Sequence, residues 1–242
     1  MIQEIRSKKN AKIKYCLKLH QQSFRKEEKK FLVEGEHLLE MALLNNVVLE
    51  VYSTKKYENL PENVQQYLIN DEILKKISSS QTPSGVVAVC KMKNEASSFG
   101  DRLLLLDDVS DPGNLGTIFR NALAFGYRDI LLTKHCCSPY NEKVVQASQG
   151  AIFQLSFHEV FDLSKLKKSG YEIISTEIKG SVELGSFKPS QKHILILGNE
   201  SHGVGKELLE ISDQRIRIEI RDIESLNVGV AAGIVMYHFS KQ

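Results

Sequence analysis

From Arg102 onward, short apolar runs alternate with helical spacings so regularly that few architectures can accommodate them. RLLLLDDV, DILLT, QLSFH, YEIISTE, HILILGNE and RIRIEI read as strands. GTIFRNALAFG, EKVVQASQGAIF, LSKLKKSG and KELLEIS read as helices between them, and a final apolar helix is expected from Val228 to Phe239. A run such as Leu103 to Leu106 has no polar face, as expected of a strand in a parallel sheet covered by helices on both sides. Ligands of such sheets gather where loops leave the carboxyl ends of the strands, so those loops are where function is sought.

The residues before Arg102 predict a second, smaller α/β unit. Apolar Ile13, Cys16, Leu17 and Leu19 recur among lysines between Ser7 and Gln22, the pattern of a basic amphipathic helix. KFLVEGEHLLEMALLNN reads as strand, turn and helix, VVLEVYST as a strand, ENVQQYLI as a short helix, DEILKKISSS as another, and GVVAVCKM as a closing strand. The polar stretch KNEASSFGD, residues 93–101, reads as a linker, giving domains at 1–97 and 102–242. With 42% hydrophobic and 26% charged residues, the composition supplies cores for both and excludes wholesale disorder.

A net charge of +2 conceals an asymmetry: residues 1–30 carry ten Lys and Arg against three Glu. That end favours a polyanion, with Lys8, Lys9, Lys12, Lys14 and Arg25 as candidate RNA contacts. A solvated helix face explains the same charges equally well. No apolar run approaches the roughly 20 residues of a membrane span, and the first residues lack the apolar core of a secretory signal, so a cytoplasmic protein is expected. Cys16, Cys90, Cys136 and Cys137 fall at no metal-ligand spacing, which predicts reduced thiols and no metal.

Three loops in the second half combine glycines with polar side chains. In DDVSDPGNLGTIFR, Gly113 and Gly116 permit close approach, Asn114 can cap a helix, and Arg120 can grip a phosphate or merely pair with Asp107 or Asp108. In LILGNESHGVG the glycines suggest a phosphate loop, yet neither the Walker nor the GxGxxG spacing is present, which excludes a dinucleotide-dependent oxidoreductase. His202 there reads as a solvated turn residue. In ESLNVGVAAG, Ser225 and Asn227 open an apolar helix, with Ser225 the expected N-cap.

Taken in order, NLGTIFRNALAFG, LILGNESHGVG and ESLNVGVAAGI resemble the three signature motifs of the SpoU, or TrmH, class of RNA ribose methyltransferases, over about residues 103–240. KFLVEGEHLLEMAL and SSSQTPSGVVAVCK resemble the substrate-binding domain commonly fused to such enzymes. The resemblance implies a trefoil-knotted parallel-sheet (SPOUT) catalytic domain behind a small RNA-binding α/β domain, a homodimer, and S-adenosyl-L-methionine as cofactor. It implies that the cofactor is held around Gly198, Ile218, Leu226, Thr176 and Asn227, and that the reaction site is built from Asn114, Arg120, Glu200, Ser225 and Asn227, with Arg120 also meeting RNA.

The reaction it implies is methylation of a ribose 2′-hydroxyl in structured RNA, with ribosomal RNA slightly ahead of transfer RNA and composition unable to choose between them. Members of the class usually carry Ile-Pro-Met and a glycine before the third motif; here the stretch is Arg217 to Ile223, without either Pro or Gly. That departure leaves open a protein that keeps the fold and binds RNA without catalysis.

Overall fold

In a computed structural model, the structure describes residues 2–93, 98–160, 162–178 and 181–242. The chain divides into two compact units, one formed by residues 1–93 and 140–153, the other by 94–139 and 154–242. The expected linker at 93–101 falls at this division, though 94–97 lie outside the described residues.

The first unit contains β1 (Ile2–Glu4), α1 (Ala11–Lys18), α2 (Gln22–Glu28), β2 (Lys30–Glu34), α3 (Glu36–Leu44), β3 (Val48–Ser53), β4 (Gln65–Leu68), α4 (Asp71–Ile77) and β5 (Val86–Lys91). The strands form a mixed sheet in the order β1-β4-β3-β5-β2. Ile13, Cys16 and Leu19 pack with Ile73, Leu74 and Ile77 over Leu32, Val87 and Val89, which is why the basic helix buries only one stripe. Two expectations change. The helix predicted over Ser7 to Gln22 stops at Lys18, and the chain turns into α2. ENVQQYLI forms a strand rather than a helix, because Gln66 and Tyr67 are buried by parallel pairing with both β1 and β3.

Residues 140–153, which the sequence assigns to 102–242, fold with this first unit. They carry α6 (Glu142–Ser148), and Gln149 and Gly150 then take left-handed conformations that end the helix before a short 3-10 turn. β2 is an edge strand, and Gln146 Nε2 donates to its Glu34 carbonyl at 2.9 Å while Phe31 packs against Tyr140 and Phe153. An otherwise open sheet edge is thereby covered.

The second unit contains β6 (Arg102–Leu106), α5 (Pro112–Ala124), β7 (Asp129–Leu132), β8 (Ser156–Glu159), α7 (Leu163–Lys168), β9 (Glu172–Thr176), β10 (Val182–Glu183), β11 (His193–Leu197), α8 (Lys206–Ile211), β12 (Gln214–Arg217) and α9 (Val228–Ser240). Its seven strands are all parallel, in the order β10-β12-β9-β11-β6-β7-β8. Leu103 to Leu106 are each fully buried, as the two-sided apolar run requires. Leu103, Leu105, Ile173, Ile194 and Ile196 pack with Leu163, Leu166 and Val204 on one face.

On the other face, His193 Nδ1 lies 2.7 Å from the Ser190 carbonyl and its Nε2 lies 2.6 Å from Tyr127 Oη, with the ring edge-on to Phe239 of α9. Burial lowers the pKa of this imidazole, so it is held neutral, with Nδ1–H donating and Nε2 accepting. Among the described residues no helix is long and apolar enough to cross a membrane, and no cluster of His, Cys, Asp or Glu is suited to a metal.

Candidate active site

The order β12-β9-β11-β6 sets the carboxyl ends of four strands side by side. Thr176 closes β9, Gly198 follows β11 and Ile218 follows β12, so three of the expected cofactor residues stand on one rim. Thr176 Oγ1 donates to the Ile196 carbonyl at 3.2 Å. A Cβ at Gly198 would lie 2.2 Å from the backbone of Gly203 and Val204, so the loop can fold back on itself only with glycine there. Gly203 itself sits at φ +72°. Leu226 and Ile218 are half-buried, and Asp222 makes a left-handed turn at φ 62° in the stretch that lacks the usual glycine.

The loop after β11 is a tight turn in which Asn199 and Gly203 exchange two backbone hydrogen bonds, of 3.1 and 2.9 Å. Glu200 projects from it, and its Oε1 accepts from Asn114 Nδ2 at 2.6 Å. Asn114 Oδ1 in turn accepts from Asn227 Nδ2 at 2.8 Å. One polar chain thus joins residues from all three motif loops.

The caps differ from expectation. Asp111, not Asn114, caps α5, accepting from Asn114 N at 2.7 Å with Pro112 in the first turn, which leaves the Asn114 side chain free for Glu200 and Asn227. Asn227, not Ser225, caps α9, its Oδ1 accepting from Gly229 N and Val230 N. Ser225 is exposed two residues before that cap. α5 and α9 pack closely: Asn121 Nδ2 donates to the Gly229 carbonyl at 3.0 Å, and Thr117 lies within 3.1 Å of where a Gly229 Cβ would be.

Arg120 is exposed on α5 and makes no ion pair with a described residue, so the pairing with Asp107 or Asp108 left open by the sequence does not form. Those aspartates serve the second loop. Asp107 Oδ2 accepts from Gly205 N at 2.8 Å, and Asp108 Oδ2 lies 3.1 Å from His202 Nε2. Sequence reasoning missed both roles, since nothing local marks a contact made more than 90 residues away.

The basic end of the first unit is less uniform than its composition. Lys8 pairs with Glu72 at 2.8 Å and Lys12 pairs with Glu50, whereas Lys9 and Lys14 are exposed and form no ion pair with a described residue. Arg25 is a correction: it is 4% exposed, and its Nη1 donates to the Leu19 and His20 carbonyls, so it fastens the turn between α1 and α2 instead of facing RNA.

Residues 101–237 match the model of the SpoU rRNA methylase family, and residues 10–88 match that of an MRM3-like substrate-binding domain. The chain belongs to the SpoU rRNA methylase family. It is 32% identical to the 23S rRNA (guanosine(2553)-2′-O)-methyltransferase of Bacillus subtilis, over 98% of this chain and 99% of that one. It is 28% identical to a 23S rRNA (guanosine-2′-O-)-methyltransferase of Coxiella burnetii, over 93% and 88%. Among solved structures, an AdoMet-bound rRNA methyltransferase from Sinorhizobium meliloti aligns with a TM-score of 0.85 at 26% identity, covering 99% of this chain and 98% of that one. The all-parallel seven-stranded unit is thus a SPOUT-type methyltransferase domain, and the mixed-sheet unit carries the match to the substrate-binding domain.

Proposed function

We propose that this S-adenosylmethionine-dependent RNA 2′-O-ribose methyltransferase acts on 23S ribosomal RNA in the cytoplasm, as a homodimer. Similarity over essentially the full length of the Bacillus subtilis enzyme carries the choice of RNA. When bound, S-adenosylmethionine supplies an electrophilic methyl group. The adjacent strand ends at Thr176, Gly198 and Ile218, with Leu226, suit that cofactor, because they offer main-chain amides and carbonyls beside half-buried apolar side chains to a flat heterocycle.

The residues of this chain then have one principal task, alignment of the ribose oxygen, which can contribute roughly 7 to 11 kcal/mol of the barrier reduction. Glu200, Asn114 and Asn227 form the polar wall against which the ribose is set. Arg120 supplies a fixed positive charge toward the RNA phosphate beside that ribose and stabilises the negative charge that develops on the 2′-oxygen as its proton passes to solvent water. Guanidinium stays protonated near neutral pH, so it acts by charge and placement. Lys9 and Lys14 hold RNA phosphates at the first unit.

The dimer reading is supported by an apolar stripe on α9, where Val230, Ile234 and Tyr237 remain 52%, 38% and 52% exposed at i, i+4 and i+7 spacing. Tyr237→Glu is expected to yield a monomer in sedimentation, and a dimer that persists would remove this stripe from the interface.

Mapping 2′-O-methylated positions in total RNA from cells with and without the gene tests the function itself. Loss of one 23S position is expected; loss of a transfer-RNA position instead would overturn the choice of RNA. Calorimetry with S-adenosylmethionine separates an enzyme from a fold retained only to bind RNA, since the latter has no use for the cofactor.

A further inference from the structure

Asp108 ties the first motif loop to the second at two points. Its N–H donates to Thr133 Oγ1 at 2.9 Å, which anchors it to the end of β7. Its carbonyl accepts from Asn199 Nδ2 at 2.8 Å, and its carboxylate lies 3.1 Å from His202 Nε2. Those two partners stand on either side of Glu200. The turn is therefore held at both shoulders, and Glu200, between them, meets Asn114. Neighbouring Asp107 reinforces the same loop through Gly205 N.

We propose that Asp108 is a positioning residue for methyl transfer, acting through His202 and Asn199 to set Glu200 against Asn114. Its effect on the reaction rests on the function proposed above, whereas its effect on geometry can be read without any substrate. Nothing local announces the role, because an aspartate after a buried strand is an ordinary turn residue.

The backbone of Asp108 is left-handed, at φ 56°, a conformation that Asp, Asn and Gly tolerate and alanine does not. Asp108→Gly thus removes the carboxylate while keeping both the turn and the carbonyl that Asn199 uses. Asp108→Asn keeps the turn and an acceptor for His202.

The experiment compares these two variants with Glu200→Gln in the full chain. In nitrogen–proton spectra, the Asn114 side-chain amide signal should move in Asp108→Gly in the direction seen for Glu200→Gln, and return to its wild-type position in Asp108→Asn. With a 23S rRNA transcript and tritiated S-adenosylmethionine, kcat should fall on the order of tenfold to a hundredfold in Asp108→Gly, the loss expected of a small misplacement, with KM for the cofactor unchanged. Asp108→Asn should recover most of that loss.

The double variant Asp108→Gly, Glu200→Gln should be no slower than Glu200→Gln alone, since a residue acting through Glu200 has nothing left to position. An Asn114 signal unmoved in Asp108→Gly, or losses that multiply in the double variant, overturns the proposal. Should the wild type transfer no methyl group to RNA, the function proposed above falls, while the Asn114 signal still decides the role of Asp108.

Discussion

Asn227 Nδ2 donates to Asn114 Oδ1 across 2.8 Å, linking residues 113 positions apart, while Oδ1 of the same Asn227 caps α9. One side chain thus both caps a helix and joins the polar chain of the proposed site. Asn227→Asp should separate these roles, because aspartate caps as well as asparagine but cannot donate to Asn114. An unchanged thermal midpoint with a large loss of methyl transfer is expected. Asn227→Ala should lose both, at a cost of about 1 kcal/mol in stability for the cap. Full transfer by Asn227→Asp would remove the asparagine pair from the site.

Arg120 is exposed and unpaired among the described residues, so its removal should leave the fold intact. Arg120→Ala is expected to change stability by less than about 0.5 kcal/mol. It should still lower methyl transfer by about a hundredfold or more, the usual effect of removing a preorganised group from a developing charge. Single-turnover assays beside urea denaturation check both; near-normal transfer would refute the assignment.

Composition treats the N-terminal lysines alike, whereas their partners do not. Lys9 and Lys14 are exposed without an ion pair among the described residues, so replacing both by alanine should reduce the salt slope of RNA binding by about two. Lys8 and Lys12 already have Glu72 and Glu50, and their replacement should change it less. Filter binding over a range of salt concentrations distinguishes the pairs, and equal slopes would mean that the ion pairs open on RNA.

His20 pairs with Glu142, which fastens α6 within the first unit. The hydrogen bond to Glu142 raises its pKa above the ordinary 6.5, against the opposing effect of burial. A histidine whose folded pKa is raised contributes stability that is fully present below its unfolded pKa and lost as pH rises through the folded one. Urea midpoints should therefore fall in the wild type as pH rises above the ordinary histidine range, and this component should vanish in Glu142→Gln. A pH dependence identical in the two proteins would show that the pair contributes nothing.

Much of the second unit was legible in its residues. Leu103 to Leu106 and Ile194 to Leu197 lie in buried strands because an apolar run with no polar face has nowhere else to go. The three loops carrying Asn114, Glu200 and Asn227 were identifiable from glycines, polar residues and motif order. The segment ENVQQYLI misled, because its helical spacing was overridden by pairing with strands on both sides.

Arg25 misled for a related reason. Composition records that a residue is charged, while two carbonyls in the α1–α2 turn decided that this guanidinium is buried. Likewise, Asp107 and Asp108 looked like partners for Arg120, and the fold gave them to Gly205 and His202.

By itself, the sequence determined the alternation of strands and helices, the buried runs and the positions of the turns, because these depend on periodicity and on residues close in the chain. Only the tertiary structure decided which carboxylate meets which amide, which lysines remain free, and that residues 140–153 fold with the first unit. Such choices arise from contacts between residues tens of positions apart, where strand order and burial, rather than local preference, select each partner.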